Sequence, residues 1–404
     1  MARIDAARGE IGADGAASTA LLSLSLRDFR NHRALSLKLS GRPVVLTGPN
    51  GAGKTNILEA ISFLSPGRGM RRARLSEPCC EGGEGIPKAQ SWVVHAEVQT
   101  LHGPIAIGTG LAETADGEEG GERRALRING EPAASANLLA EYLDLVWLTP
   151  QMDRLFVDGL STRRRFMDRL VYGLESGHAR QVTAYEKAMR ERNRLLKNGY
   201  GADPAWLGAL EARMAEHGLA IAAARRAALV RIEAGMELEN AASVFPRARL
   251  AARGLLETWL EDMPALAAEE KFRDLLAERR GIDREAGAAT EGPHRSDLSV
   301  WHRDRDRAAE GCSTGEQKAL LIAITLANAR LIRERKGAAP LLLLDEVSAH
   351  LDATRRAALY AEILDLGGQA WLTGTDPELF HGLGARAEFF SVADGAVSPR
   401  PALV

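Results

Sequence analysis

The chain has 404 residues, enough for about two or three domains with several sizeable cores. Its 52 basic and 54 acidic side chains nearly cancel, which excludes indiscriminate polyanion binding and makes any polyanion site local. With 45% hydrophobic and 26% charged residues it is neither disordered nor collagen-like, and no run approaches the roughly 18 apolar residues of a membrane helix.

Residues 1–20 read as a loose leader, small and polar, without the basic start and apolar stretch of a secretory signal. Cys79 and Cys80 are adjacent and Cys312 stands alone, so no disulfide framework is encoded, which fits a cytoplasmic protein. LLSLSL and ALSLKL, between Leu21 and Leu39, alternate as the half-buried strands of a hairpin. PVVLT (Pro43 to Thr47) is a buried strand running into a glycine-rich turn, and a helix follows over Lys54 to Leu64. After the basic loop Arg68 to Arg74 and a connector from Cys79 to Ser91, a second hairpin is expected at Trp92–Leu101 and Gly103–Leu111. An acidic loop (Glu113 to Glu122), a strand (Arg124 to Ile128) and a helix (Ala133 to Leu143) come next. From Ser161 to about Arg280 the spacing turns helical, with long helices predicted at His178–Lys197 and Ala205–Glu239 around a turn-rich Asn-Gly-Tyr-Gly-Ala-Asp-Pro. Glu291 to Trp301 returns to loop and strand, Gly315 to Arg335 is helical, and PLLLLD (Pro340 to Asp345) is a buried strand. Ala370–Thr373 and Phe389–Val392 are further strands of the same sheet.

Gly48-Pro49-Asn50-Gly51-Ala52-Gly53-Lys54-Thr55 matches the GxxxxGK(S/T) phosphate loop in its strand–turn–helix setting. Backbone N–H groups there cradle phosphates, Lys54 reaches the β/γ-phosphates, and Thr55 is a Mg²⁺ ligand. The strand LLLL ends in Asp345 and Glu346, at the edge where open α/β sheets bind ligands. Asp345 is placed to hold Mg²⁺ and Glu346 to act as general base on water, which makes Glu346, Lys54 and Asp345 the catalytic candidates. Cys312-Ser313-Thr314-Gly315-Glu316-Gln317-Lys318 opens the long helix; alone it is a good helix start, and beside a phosphate loop it becomes a second phosphate-recognising N-terminus.

The order of phosphate loop, SxGEQ, LLLLDE and SAHLD resembles the ABC-type ATPase heads of the SMC class. The stretches LSLRDFRNHRALSL (ending at Leu37), GPNGAGKTNILEAISFLSPGR (48–68), STRRRFMDRLV (161–171), GPHRSDL (292–298) and LTGTDPELF (372–380) narrow the resemblance to the RecF family. It spans about Leu21 to Phe390. The fold implied is α/β: a P-loop ATPase head of mixed sheet, helices and an antiparallel β part, with an inserted, mainly helical lobe. Residues 21–150 and 291–404 make the head and 151–290 the lobe.

By this resemblance ATP and Mg²⁺ are the cofactors and ATP joins two copies of the chain. Ser313, Gly315 and Gln317 then act in trans on the other copy's γ-phosphate. Arg30 and Asn31 contact nucleotide, although an ordinary hairpin loop explains them as well. Gln151, Thr373, Thr375 and Asp352 are switch positions, with threonines where many heads carry a histidine, and Gln151 reads equally as a helix-start glutamine. The family implies duplex DNA near gaps or single/double-strand junctions, a RecR-type mediator as partner, slow ATP hydrolysis for release, and recombinase loading on gapped DNA. Two basic clusters are DNA candidates, one with Arg68, Arg71 and Arg72 and one with Arg163, Arg164 and Arg165. Either reads otherwise as a solvated face. Few aromatics favour duplex backbone over stacked single strands.

A transporter ATPase is disfavoured because 259 residues separate Lys54 from Ser313. A chromosome tether of SMC type needs long heptad arms that the hairpin lacks. A nucleotide-gated DNA-binding module without turnover stays open as an alternative.

Overall fold

Three continuous apolar runs lie side by side in the computed structural model, which describes residues 19–82, 87–112, 122–197, 203–238 and 243–402. Most of the leader, most of the acidic loop, residues 83–86 of the connector and the turn at 198–202 fall outside the described residues.

Numbered in chain order, the antiparallel sheet is formed by β1 (Ala20–Phe29), β2 (His32–Lys38), β4 (Val93–Thr100), β5 (Gly103–Leu111), β6 (Arg124–Ile128) and β7 (Glu131–Pro132), in the order β2-β1-β4-β5-β6-β7. The second sheet has β3 (Val44–Thr47), β8 (Leu145–Leu148), β12 (Leu341–Leu344), β13 (Ala370–Gly374), β14 (Glu388–Ala393) and β15 (Ala396–Arg400), in the order β15-β14-β3-β13-β12-β8. All its pairings are parallel except β14 with β15. VVLT, LLLL and AWLTG are buried at every position, as strands covered on both faces must be.

Helix α1 (Lys54–Ser62) is buried along most of its length, and its residues share one apolar core with both sheets. Phe29, Phe63 and Trp92 close that core with ring centroids 4.8 to 6.0 Å apart. Between the sheets' last strands the chain runs through α2 (Leu160–Tyr172), α3 (His178–Lys197), α4 (Pro204–Leu238), α5 (Leu255–Asp262), α6 (Ala265–Glu278) and α7 (Arg280–Ala286). The 35-residue α4 joins two cores: Met214, Ala215 and Ala222 pack with Tyr185, Phe272 and Leu276, whereas Leu229, Ile232 and Met236 belong to the core of the sheets. Fully buried Arg192 cross-links the helices by donating to Glu211, Asp283 and the Leu276 carbonyl at 2.6 to 3.0 Å.

The helical stretch is broken by β9 (Ala248–Arg253), which pairs antiparallel with β10 (Asp297–His302), itself flanked by β11 (Arg307–Ala308). Helices α8 (Thr314–Lys336) and α9 (Ala353–Leu366) flank β12 in the chain, α8 buried over most of its length. The helix expected at Ala133–Leu143 is a 3-10 turn, Ala136–Glu141, because Ser135 caps it late and β8 begins at Leu145.

Candidate nucleotide site

β3, β13, β12 and β8 are neighbours, so the segments leaving their carboxyl ends form one row: the phosphate loop, Thr373, Asp345–Glu346 and Thr149–Gln151. The loop's tight path needs glycine at two places. Gly48 has φ 154° and a Cβ there would lie 2.0 Å from the Val392 carbonyl; Gly53 has φ 110° and a Cβ would meet Asn31 at 2.5 Å. Lys54, only 4% exposed, donates from Nζ to the Gly48 and Pro49 carbonyls at 2.7 and 2.9 Å. Burial pushes its ammonium pKa down, against the opposing pull of Glu346 and Asp345.

Thr55 Oγ1 and Thr373 Oγ1 donate to the same oxygen, Asp345 Oδ1, at 2.9 and 2.7 Å. Glu346 takes a left-handed backbone, φ 51°, and its N–H donates to Thr373 Oγ1 at 2.9 Å. Burial raises the Asp345 carboxyl above its usual range; the two threonine hydroxyls and Arg71 oppose the rise and Glu346 adds to it. An adjacent hydroxyl and carboxylate are hard oxygen donors of the kind Mg²⁺ takes, with water and phosphate completing its shell.

The β1–β2 turn packs onto the loop. Asn31 Nδ2 donates to the Ala52 carbonyl at 3.0 Å and accepts at Oδ1 from Asn56 at 2.8 Å. Arg30, with φ 56°, is fixed by Glu59, which accepts from Arg30 Nε at 2.9 Å and Nη2 at 2.6 Å, and from Arg71 Nη1 at 2.9 Å. The only sequence signal for Glu59 was a carboxylate inside an otherwise buried helix run, NILEAIS.

The other candidates lie further out. Exposed Gln151 is the second residue of the 3-10 turn Pro150–Arg154 after β8, and the Leu148 carbonyl accepts from the Asp345 N–H at 2.9 Å. Gln151 lines a pocket of about 250 Å³ with Arg71 and Arg165. Thr375 is exposed beyond β13, and Asp352 caps α9 by accepting from the Arg355 N–H at 2.8 Å. Ser313 and Gly315 are exposed at the start of α8, and buried Gln317 donates to the Cys312 carbonyl at 3.0 Å. Ser313 and Glu316 form a capping box in which Glu316 Oε2 accepts from the Ser313 N–H and hydroxyl, both at 2.9 Å. Among the described residues no hydrogen bond or ion pair joins these signature residues to the phosphate loop.

The arginine clusters divide. Arg71 is held by Glu59 and Asn56, Arg163 donates to both Asp297 oxygens at 2.7 and 3.0 Å, and Arg164 donates to the Ser296 carbonyl at 2.9 Å. Arg68, Arg72 and Arg165 are exposed.

The family model described as "RecF/RecN/SMC N terminal domain" matches residues 20–381. The DNA replication and repair protein RecF of Mesorhizobium japonicum is 49% identical over 384 residues, covering 95% of this chain and 98% of that protein. RecF of Brucella suis is 50% identical over 376 residues, covering 93% and 95%. A solved structure described as the recombination mediator protein RecF with ATP, of the RecFOR pathway, superposes with a TM-score of 0.79 at 22% identity, covering 96% of this chain and 100% of the other. An Smc head domain derived from Pyrococcus furiosus gives 0.51 at 18% identity, covering 95% and 96%; both likenesses speak to the fold. The family match over residues 20–381 and the near full-length identity lead to one conclusion: this chain belongs to the RecF family of DNA replication and repair proteins, with the α/β head fold of SMC-class ATPases.

Proposed function

We propose that the chain is an ATP-driven clamp on DNA. Two copies close on two ATP molecules, grip duplex DNA near a gap or a single/double-strand junction, and let go after slow, DNA-stimulated hydrolysis. In the cell, in the cytoplasm, this would help to load a recombinase on gapped DNA together with a RecR-type mediator. The head is residues 21–150 and 291–404, the helical lobe 151–290, and the leader 1–20.

One observation carries the reading. Lys54, Thr55, Thr373, Asp345 and Glu346 converge at the phosphate loop, while the signature serine and glycine are exposed and without partners in that loop. The ATP named for the solved RecF structure supports the choice of nucleotide. Gly48 to Thr55 take the phosphates, with Arg30 and Asn31 alongside. Thr55 and Asp345 would hold Mg²⁺, which would supply charge neutralisation to the bound nucleotide's phosphates. Glu346 removes the proton from the attacking water, and Lys54 neutralises the leaving phosphate. Thr373 joins the Asp345 carboxylate to the Glu346 backbone N–H and so takes the switch position, with Gln151 at the row's far end and Thr375 and Asp352 outside it. Ser313, Gly315 and Gln317 come from the second copy, so turnover waits for assembly.

Binding of duplex, gapped and single-stranded DNA, each with ATP, ADP or no nucleotide, tests the reading. Duplex or gapped DNA held tightly only with ATP is expected; equal affinity in all three nucleotide states would sink it.

A further inference from the structure

Arg165 and Arg169 are four residues apart and so share one face of α2, where two like charges repel. Arg72 faces them from the loop after α1, and Arg68 from the same loop joins the rim of a pocket of about 270 Å³. Arg169 lies over the Trp147 ring, 4.1 Å from its centroid, and its Nη1 donates to the Met152 sulfur at 3.9 Å, its one side-chain hydrogen bond among the described residues. A guanidinium has five N–H donors, so most of its capacity is open to the pocket. Arg165 donates to the Thr162 hydroxyl at 2.9 Å, and no side-chain hydrogen bond or ion pair reaches Arg68 or Arg72 among the described residues. The carboxylates lining the pocket are engaged elsewhere: Asp144 with Lys336, Asp168 with Arg225, Glu175 with Arg335 and Glu186 with Arg190.

Burial, then the neighbouring Arg72, lowers the Arg165 pKa; burial pushes Arg169 down to about 9 despite Tyr172, with Arg72 and Arg165 adding to the fall. A guanidinium is not deprotonated at neutral pH. Such a cluster is stabilised by a multivalent anion that accepts several guanidinium donors at once. The second pocket, which contains Gln151 and Arg71, shares Arg72, Trp147, Arg165 and Arg169 with this one, so the cluster adjoins the nucleotide row.

We propose that Arg68, Arg72, Arg165 and Arg169 form a second phosphate-ester site, separate from the phosphate loop. The pocket stands on its own geometry; the duplex backbone as the source of the phosphate rests on the clamp reading, and a free phosphate ester is the other source.

Two measurements on the full chain test it. In Lys54→Met protein, where the phosphate loop is disabled, inorganic phosphate is expected to raise Tm, and the rise should vanish in Lys54→Met/Arg72→Ala/Arg165→Ala. An equal rise in both proteins, or none in either, overturns the site. With Lys54 intact, Arg72→Ala/Arg165→Ala should weaken duplex binding by roughly tenfold and flatten the log–log salt slope by about two, while Arg194→Ala/Arg213→Ala, at two exposed arginines outside the pocket, changes neither. A flattened slope assigns the phosphate to the duplex. An unchanged slope with the phosphate effect lost keeps the site, assigns it to a free phosphate ester, and removes these arginines from the clamp.

Discussion

The phosphate-loop edge and the signature edge are built in opposite ways. At the first, buried carboxylates hold the groups around them: Thr55 and Thr373 share one Asp345 oxygen, and Glu59 holds Arg30 and Arg71. At the second, Ser313 and Gly315 stand at an exposed helix start and, among the described residues, the serine hydroxyl is tied only to its own capping partner, Glu316. The first edge is preorganised for a ligand within one chain. The second offers donors outward, which suits a ligand held by another chain.

Predictions can break this contrast, beginning with the largest effect. Lys54→Met removes the ammonium from the preorganised edge and should cost about 3 kcal/mol of ATP affinity, roughly a hundredfold, in a fluorescent-nucleotide titration. Unaltered affinity would remove the loop from the site. Glu59→Ala leaves two arginines without their carboxylate. Because both are partly exposed, a loss of about 2–3 kcal/mol of stability is expected in urea unfolding, at the low end for a buried pair. Ser313→Ala should leave ATP binding to the single chain unchanged and weaken ATP-dependent association about tenfold, alongside roughly 1 kcal/mol of lost helix capping. A fall in single-chain ATP affinity would mean that the signature works in cis.

The smallest effect is a pH dependence. Asp345 keeps its proton to higher pH folded than unfolded, so the folded state binds more protons between the ordinary carboxylate range and the raised value. Stability therefore falls as pH rises through that window, and Asp345→Asn should flatten this part of the profile.

Local pattern made much of the head legible. The strands around Leu24, Val45, Leu343 and Val94 follow from alternation or continuous burial, and the phosphate loop from its fixed glycines. What escaped depends on partners far along the chain. LVWL at β8 is four residues at the sheet's edge, yet it carries Gln151 to the row beside Asp345. The alanine- and arginine-rich ARLAAR of β9 has the composition of the helices around it, and only pairing with β10 makes it a strand. The run Arg163-Arg164-Arg165 looks uniform, but the helix turns two of its members toward Asp297 and Ser296, 134 and 132 positions away, and the third toward a pocket. Glu59 escaped for the same reason: its identity does not name the arginines that fold back onto it.

The central claim is that ATP joins two complementary edges from two chains. Sedimentation velocity of the wild-type protein and of Glu346→Gln, each with ATP, ADP or no nucleotide, tests it most directly. A dimer that forms only with ATP, and persists in Glu346→Gln, is the predicted result; the same species with and without ATP in both proteins would contradict the account.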